Sequence, residues 1–196
     1  MLENLSNYRI LLASNSPRRR ELLAGLDLSY EVTALPDVDE SFPPGMPGEE
    51  IPVFIARSKA AAYASQMQPD TLLITADTIV WVDDTVFGKP ADEADAIRML
   101  RALSGRTHRV ITGVCISTAR QQLSFASVTD VSFARLSDEE IRYYVSHYRP
   151  YDKAGSYGIQ EWIGYVGVER IDGSYFNVMG LPIQRLYTEL KRIERL

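Results

Sequence analysis

The stretch Ile10-Leu11-Leu12-Ala13-Ser14-Asn15-Ser16-Pro17-Arg18-Arg19-Arg20-Glu21-Leu22-Leu23-Ala24 passes from a continuous apolar run through a polar turn into a helix start. The run predicts a core strand over residues 8–14, and the pattern after it predicts a helix over 17–26. Ser16 is a good N-cap and Pro17 suits the first helical position, because its fixed φ is already helical and its missing N–H is one no helix start uses. A second strand is expected from Tyr30 to Leu35, stopped by Pro36, which completes a strand-helix-strand opening. Arg18, Arg19 and Arg20 then crowd the positive end of the helix dipole, where each costs roughly 0.3–1 kcal/mol without a counter-charge. A phosphate would reverse that sign, since helix-start N–H groups, serine hydroxyls and guanidinium forks all donate to the same oxygens. A surface patch of arginines splayed into water is the alternative.

Working outward, the Pro- and Gly-rich acidic segment 37–48 reads as a loop before a helix near Glu49 to Met67. Thr71 to Ala76 reads as an apolar strand closing on Asp77, and 79–82 with 85–87 as a hairpin around Asp83-Asp84, ended by Gly88-Lys89-Pro90. A helix from about Asp92 to Leu103 precedes two long antiparallel strands, His108 to Thr118 and Leu123 to Arg135. Ser137 caps a helix to His147. A glycine-rich stretch, a strand near Tyr165 to Ile171, the turn Asp172-Gly173-Ser174 and a closing amphipathic helix from Pro182 complete the chain. Helices alternating with hairpins predict an α/β fold with a mixed sheet.

At 196 residues and 45% hydrophobic content the chain supports one substantial core, with no linker dividing it. Its single cysteine, Cys115, lies in an apolar run and excludes an internal disulfide, which fits a reducing cytoplasm. No apolar stretch reaches membrane-span length, and Glu3 does not fit a signal peptide, so a soluble, unexported protein is expected. A net charge of −5 disfavours grip on a nucleic-acid backbone, whereas a small phosphate ligand needs only a local cluster of cations.

Asp77 is the sharpest carboxylate, because ligands collect at the carboxyl ends of core strands, which would place it at the floor of a cleft. A free aspartate titrates near about 3.9, so as a base it needs desolvation, a neighbouring carboxylate or a metal-bound water. A turn aspartate ahead of Thr78 is the plainer reading. Asp37, Asp39 and Glu40 form an acidic loop that either shares a hard divalent cation with Asp77 or is simply solvated. Lys59 falls on the helical stripe of Ile55 and Ala62, out of pattern for a cation, so it either snorkels or points into a cleft. Lys89, held extended by Pro90, suits an arm reaching a phosphate and equally an exposed hairpin end. His108 has no second histidine at ligand spacing and Cys115 no partner, which speaks against a zinc site or a cysteine nucleophile, and there is no Walker A pattern. The glycines of 152–160 read as turns.

Taken in order, SNSPRRREL (14–22), ARSKA (56–60), ADT (76–78), GKP (88–90), LSGRTHRVITGV (103–114), DKAGSYGIQ (152–160) and GSYFNVMGLP (173–182) resemble the Maf family of nucleotide pyrophosphatases over nearly the whole chain. The resemblance implies hydrolysis of a nucleoside triphosphate between its α and β phosphates, with a divalent cation, Mg²⁺ or Mn²⁺. It implies a single domain over 1–196 akin to inosine triphosphate pyrophosphatases: a strongly twisted mixed sheet with flanking helices, two lobes around a cleft, and often a homodimer. Position by position, it makes Asp77 the general base with Glu40 its partner at the metal, and gives Ser14, Arg19, Lys59 and Lys89 to the triphosphate. Arg18, Thr78 and Gln160 match positions that separate a dTTP/UTP branch from 7-methyl-GTP relatives, and an amide such as Gln160 both donates to and accepts from a pyrimidine edge. Asn15 and Arg20 fall at variable positions, and Arg20 is expected in solvent. Glu161-Trp162 stands where a small residue is more usual, which puts Trp162 near the expected base pocket. Two readings stay open against this one: a purine pocket, and a non-catalytic septum-formation inhibitor with a vestigial nucleotide site. The intact set of Asp77, Lys59, Lys89 and Arg19 speaks against the second.

Overall fold

The computed structural model describes residues 2–33 and 38–196. Strand β1 (Arg9–Ala13) and helix α1 (Pro17–Ala24) form in the opening stretch, with Pro17 in the first turn and the Ser16 hydroxyl accepting from the Arg19 N–H. Strand β2 (Glu31–Thr33) runs parallel to β1, from Leu11↔Glu31 to Ala13↔Thr33. The end of that expected strand, at Leu35, lies outside the described residues, as does Asp37. Then follow α2 (Ile51–Tyr63), β3 (Thr71–Val82), β4 (Thr85–Phe87), α3 (Glu93–Leu103), β5 (Thr107–Ser117), β6 (Gln122–Phe133), α4 (Asp138–Tyr148), α5 (Trp162–Gly167), β7 (Val168–Asp172), α6 (Tyr175–Met179) and α7 (Ile183–Leu190). The strands make one mixed sheet in the order β2-β1-β3-β5-β6-β7, with β4 on β3. β3 runs parallel to β1, while β4 on β3 and β7 on β6 are antiparallel.

Three features depart from the sequence expectation. β3 does not close on Asp77; it continues to Val82, because its far half is held by β4 through Val80↔Phe87 to Val82↔Thr85. The glycine-rich stretch contains a helix, α5, in which Gly164 serves packing rather than a turn: a Cβ there would overlap the Ile159 carbonyl. Helix α6 follows the turn at Gly173, with the Ser174 hydroxyl accepting from the Asn177 N–H. Among the described residues no helix is long and apolar enough to cross a membrane.

The chain divides into two compact units, each drawn from separate segments. The first comprises Met1–Asp77, Thr112–Ser127 and Gly180–Leu196. Leu11, Ala13 and Leu73 of the sheet pack there against Ala56, Ala60 and Tyr63 of α2, with Cys115 buried among them as a free thiol. The second comprises Thr78–Ile111 and Val128–Met179. In its core, Val80, Val131 and Phe133 meet Leu100 of α3 and Tyr144 of α4.

His108 belongs to this second core: it is 2% exposed, its Nε2 lies 2.7 Å from the Tyr157 hydroxyl, and its ring meets Phe133 edge-on. Burial pushes its pKa down from 6.5 to about 4. As pH falls, the unfolded chain therefore takes a proton before the folded one does. The histidine's contribution is full above about 6.5 and is lost on the way to about 4, at roughly 1.4 kcal/mol per pH unit. Urea unfolding at pH 5 should show about 2 kcal/mol less stability from this group than at pH 7, and His108→Gln should remove that part of the slope.

Candidate active site

Ser14 follows directly on β1, and the β1–β3 ladder ends at Leu12↔Ile74, three residues before Asp77. The expectation that Asp77 lies at a carboxyl end thus holds for the parallel ladder, although not for β3 itself. Ligands favour such ends, and here α1 also starts with its N–H groups at the same place.

Helix α2 is set on this ladder by register. Thr75 is fully buried and donates its hydroxyl to the Ala56 carbonyl at 2.7 Å. Asp77, two residues along the strand, shares the face of Thr75, and Lys59, three residues along the helix, shares the face of Ala56. The two side chains consequently meet: Lys59 Nζ lies 2.7 Å from Asp77 Oδ1 and 2.8 Å from Glu40 Oε1. Lys59 and Asp77 are buried, whereas Glu40 is half exposed. The buried stripe of α2 runs through Ile55, Ala56, Lys59, Ala60 and Tyr63, and Ala62, expected on it, is exposed. Lys59, expected either to snorkel or to point into a cleft, thus turns its ammonium to a pair of carboxylates.

The arginine cluster resolves into different environments. Arg19 donates from Nε to the Gly180 carbonyl at 2.8 Å and from Nη1 to the Ala76 carbonyl at 2.9 Å, beside Asp77. Burial lowers the pKa of its guanidinium, with Asp77 and Glu40 pulling it back up. Arg18 is half buried. Arg20, expected in solvent, is half buried too, and its Nε and Nη2 each reach the Ser14 carbonyl at 3.4 Å, so it braces the turn from behind. Ser14 itself is buried, and its hydroxyl accepts from the Ser16 N–H at 3.2 Å. Asp39 departs from the expected acidic cluster: its carboxylate accepts from the Ser41 N–H and hydroxyl at 2.9 and 2.8 Å, bonds that lower its pKa and turn it into its own loop.

The donor set suits a hard divalent cation. Asp77 and Glu40 bring two carboxylates to one ammonium, and Mg²⁺ takes one or two carboxylates with substrate phosphates and water. Among the described residues no group of three or more His, Cys, Asp or Glu forms a cage.

The other expected residues belong to the second unit. Thr78 is half buried on β3 and Lys89 is exposed, the latter following a Gly88 carbonyl that accepts from the Gly155 N–H at 3.0 Å. Gln160 is half buried, yet its Oε1 is buried and without a hydrogen-bond partner among the described residues. Trp162, expected near the base pocket, lays its ring against Tyr143 at 4.9 Å. A polar network with no local sequence signature lies beside Gln160. Lys153, 8% exposed in its side chain, pairs with Asp152 at 2.8 Å and Glu161 at 3.0 Å. Glu161 in turn accepts from the Tyr144 hydroxyl. The sequence shows only a lysine directly after an aspartate in the glycine-rich run, and its burial is a property of the fold.

The Maf-like protein family model matches residues 9–193. A dTTP/UTP pyrophosphatase of Bacteroides fragilis (strain YCH46) is 65% identical over 98% of this chain and 100% of the relative. Relatives of the same name from Phocaeicola vulgatus (64%, over 98% and 100%) and Porphyromonas gingivalis W83 (58%, over 97% of each) match end to end as well. Among solved structures, a HAM1 protein from Coxiella burnetii superposes with a TM-score of 0.51 at 20% identity, over 95% of this chain and 100% of that one. The Staphylococcus aureus Ham1 protein gives 0.50 at 18%, over 92% and 99%. These two likenesses speak for the fold alone. With a family model running from β1 past the end of α7, and relatives aligned over their full lengths, the chain belongs to the Maf family.

Proposed function

We propose that this chain, as a single Maf-like domain over 1–196, is a cytoplasmic pyrophosphatase that cleaves dTTP and UTP to the monophosphate and pyrophosphate. The full-length relatives carrying that name support the substrate class. The observation that carries the chemistry is the buried Lys59–Asp77 pair, with Glu40 on the same ammonium and Arg19 beside it.

Water attacks the α-phosphorus, its proton passes to the Asp77 carboxylate, and the bond from the α-phosphorus to the bridging oxygen breaks to release pyrophosphate. Lys59 orients Asp77, and with Arg19, Ser14 and Lys89 it offsets the charge of the triphosphate. Mg²⁺ or Mn²⁺ held by Asp77 and Glu40 would supply further charge neutralisation on the phosphate oxygens. Arg18 and Thr78 are assigned to substrate choice. Gln160 reads the base: its buried Oε1, without a hydrogen-bond partner among the described residues, is an acceptor that suits the N3–H of uracil or thymine.

A panel of triphosphates assayed by pyrophosphate release tests this. UTP and dTTP should exceed CTP by about 10²-fold or more in kcat/KM, because the wrong edge leaves a buried acceptor unpaired. Excess chelator should abolish turnover, and added Mg²⁺ or Mn²⁺ should restore it. A preference for purine triphosphates overturns the assignment of Gln160. Tight nucleotide binding without turnover in the metal-replete protein overturns the enzymatic reading.

A further inference from the structure

We propose that Glu161 is the positioning residue that sets the face Gln160 presents to the nucleobase, and so governs base discrimination. The proposal rests on the reading of Gln160 as the base-contacting side chain.

The segment Gly158-Ile159-Gln160-Glu161 is a four-residue turn closed by the Glu161 N–H donating to the Gly158 carbonyl at 3.0 Å. Gln160 is its third residue, so the turn's dihedral angles decide where the amide points. The Gly158 N–H donates in turn to the Tyr144 hydroxyl at 3.0 Å, and that hydroxyl donates to Glu161 Oε2. The backbone N–H of Glu161 thus holds the Gly158 carbonyl, and its carboxylate holds the Gly158 N–H through Tyr144. Its other oxygen, Oε1, meets Lys153 Nζ at 3.0 Å.

Packing brings the same side chains together. A Cβ on Gly158 would lie 2.9 Å from each of Gln160 Nε2, Glu161 Cδ and Lys153 Cε, so these three side chains crowd together over the bare glycine. Tyr144 is fully buried and Lys153 nearly so. Burial, reinforced by the hydrogen bond to Glu161, raises the Tyr144 pKa and keeps its hydroxyl a donor. A carboxylate accepting from two buried donors is a strong constraint; its removal leaves Lys153 with Asp152 alone and the Tyr144 hydroxyl in need of a new acceptor. Tyr144, which also accepts from the Gly158 N–H, would shift to find one and carry the turn and Gln160 with it.

A merely structural Glu161 predicts a different outcome. Loss of folded protein lowers the rate for every triphosphate by one factor and leaves the ratio of kcat/KM for UTP over CTP unchanged. A positioning role lowers that ratio. Glu161→Ala should reduce it about tenfold, through a higher KM for UTP and with kcat within about twofold. Glu161→Gln, whose amide oxygen still accepts from Tyr144 but whose NH₂ faces the Lys153 ammonium, should lose less of the ratio than Glu161→Ala. Tyr144→Phe, which keeps the ring, should give an intermediate loss and serves where Glu161→Ala does not fold. The double variant Gln160→Ala/Glu161→Ala should lose no more selectivity than Gln160→Ala alone. If Gln160→Ala lowers the ratio while Glu161→Ala and Tyr144→Phe leave it unchanged, the positioning role is overturned and the reading of Gln160 stands. If Gln160→Ala itself leaves the ratio unchanged, the reading of Gln160 falls, and the role of Glu161 with it.

Discussion

Asp77→Asn should lower kcat for UTP by about 10²–10⁴-fold while the protein remains folded, the span expected when a general base loses its proton acceptor. The replacement is isosteric, and an amide oxygen can still accept from Lys59 Nζ, which now stands 2.7 Å from Oδ1. Lys59 keeps its second carboxylate, Glu40 at 2.8 Å, so the buried ammonium is not left without a counter-charge. Position and packing are thus conserved and basicity is removed. Stopped-time pyrophosphate release gives kcat, and calorimetric titration with UTP gives affinity. The expected pattern is a large fall in kcat with affinity changed by less than about tenfold, the signature of a group that acts in the transition state. If kcat stays within about fivefold of the parent, Asp77 does not take the proton. If affinity collapses together with kcat, its main work is to hold cation and substrate.

Much of the unit bearing Asp77 is legible in the sequence, because its signals are local. An apolar run followed by Ser16-Pro17 marks the β1–α1 junction, and a lysine on an apolar helical stripe marks Lys59. The partner of Lys59 is harder to read, since pairing with Asp77 depends on how α2 registers on β3, which Thr75 and Ala56 decide across 19 residues of chain. A carboxylate in an apolar run reads as a strand terminus at Asp77, and only the β4 ladder shows that β3 continues. The second unit is less legible for the same kind of reason. Glycine in a glycine-rich run predicts turns, yet Gly164 sits in a helix because the Ile159 carbonyl occupies the place of its side chain. Arg20 was expected in solvent because nothing local places the Ser14 carbonyl under its guanidinium. The Lys153–Glu161–Tyr144 network spans 17 residues between Tyr144 and Glu161 and has no periodic signature at all.

Gly113→Ala should be the most destabilising single-methyl change in the first unit, because β5 and α2 approach there backbone to backbone. A Cβ on Gly113 would overlap the Pro52 carbonyl group and the Val53 nitrogen, atoms that cannot rotate aside as a side chain tip would. Overpacking typically costs about 1–3 kcal/mol, and a clash with helix backbone belongs at or above the top of that range. For a chain of this size about 3 kcal/mol corresponds to a fall in Tm of roughly 6–12 °C. Gly88→Ala is the matched control: its Cβ would meet nothing within 4 Å, so its Tm should move by no more than about 2 °C. The consequence reaches the chemistry because the first turn of α2 is what Gly113 supports, and Lys59 stands two turns further along the same helix. A helix pushed off the sheet at Pro52 must tilt or slide, and either motion strains the Thr75–Ala56 bond and the contact between Lys59 and Asp77. Gly113→Ala assayed well below its own Tm should therefore still show kcat reduced by about tenfold or more, since a displacement of about 1 Å at a positioned group costs up to about 10²-fold. A variant that melts early but turns over normally in the cold would show that α2 yields at its first turn without moving Lys59, and would locate the rigidity of the Lys59–Asp77 pair in the Thr75 hydroxyl alone.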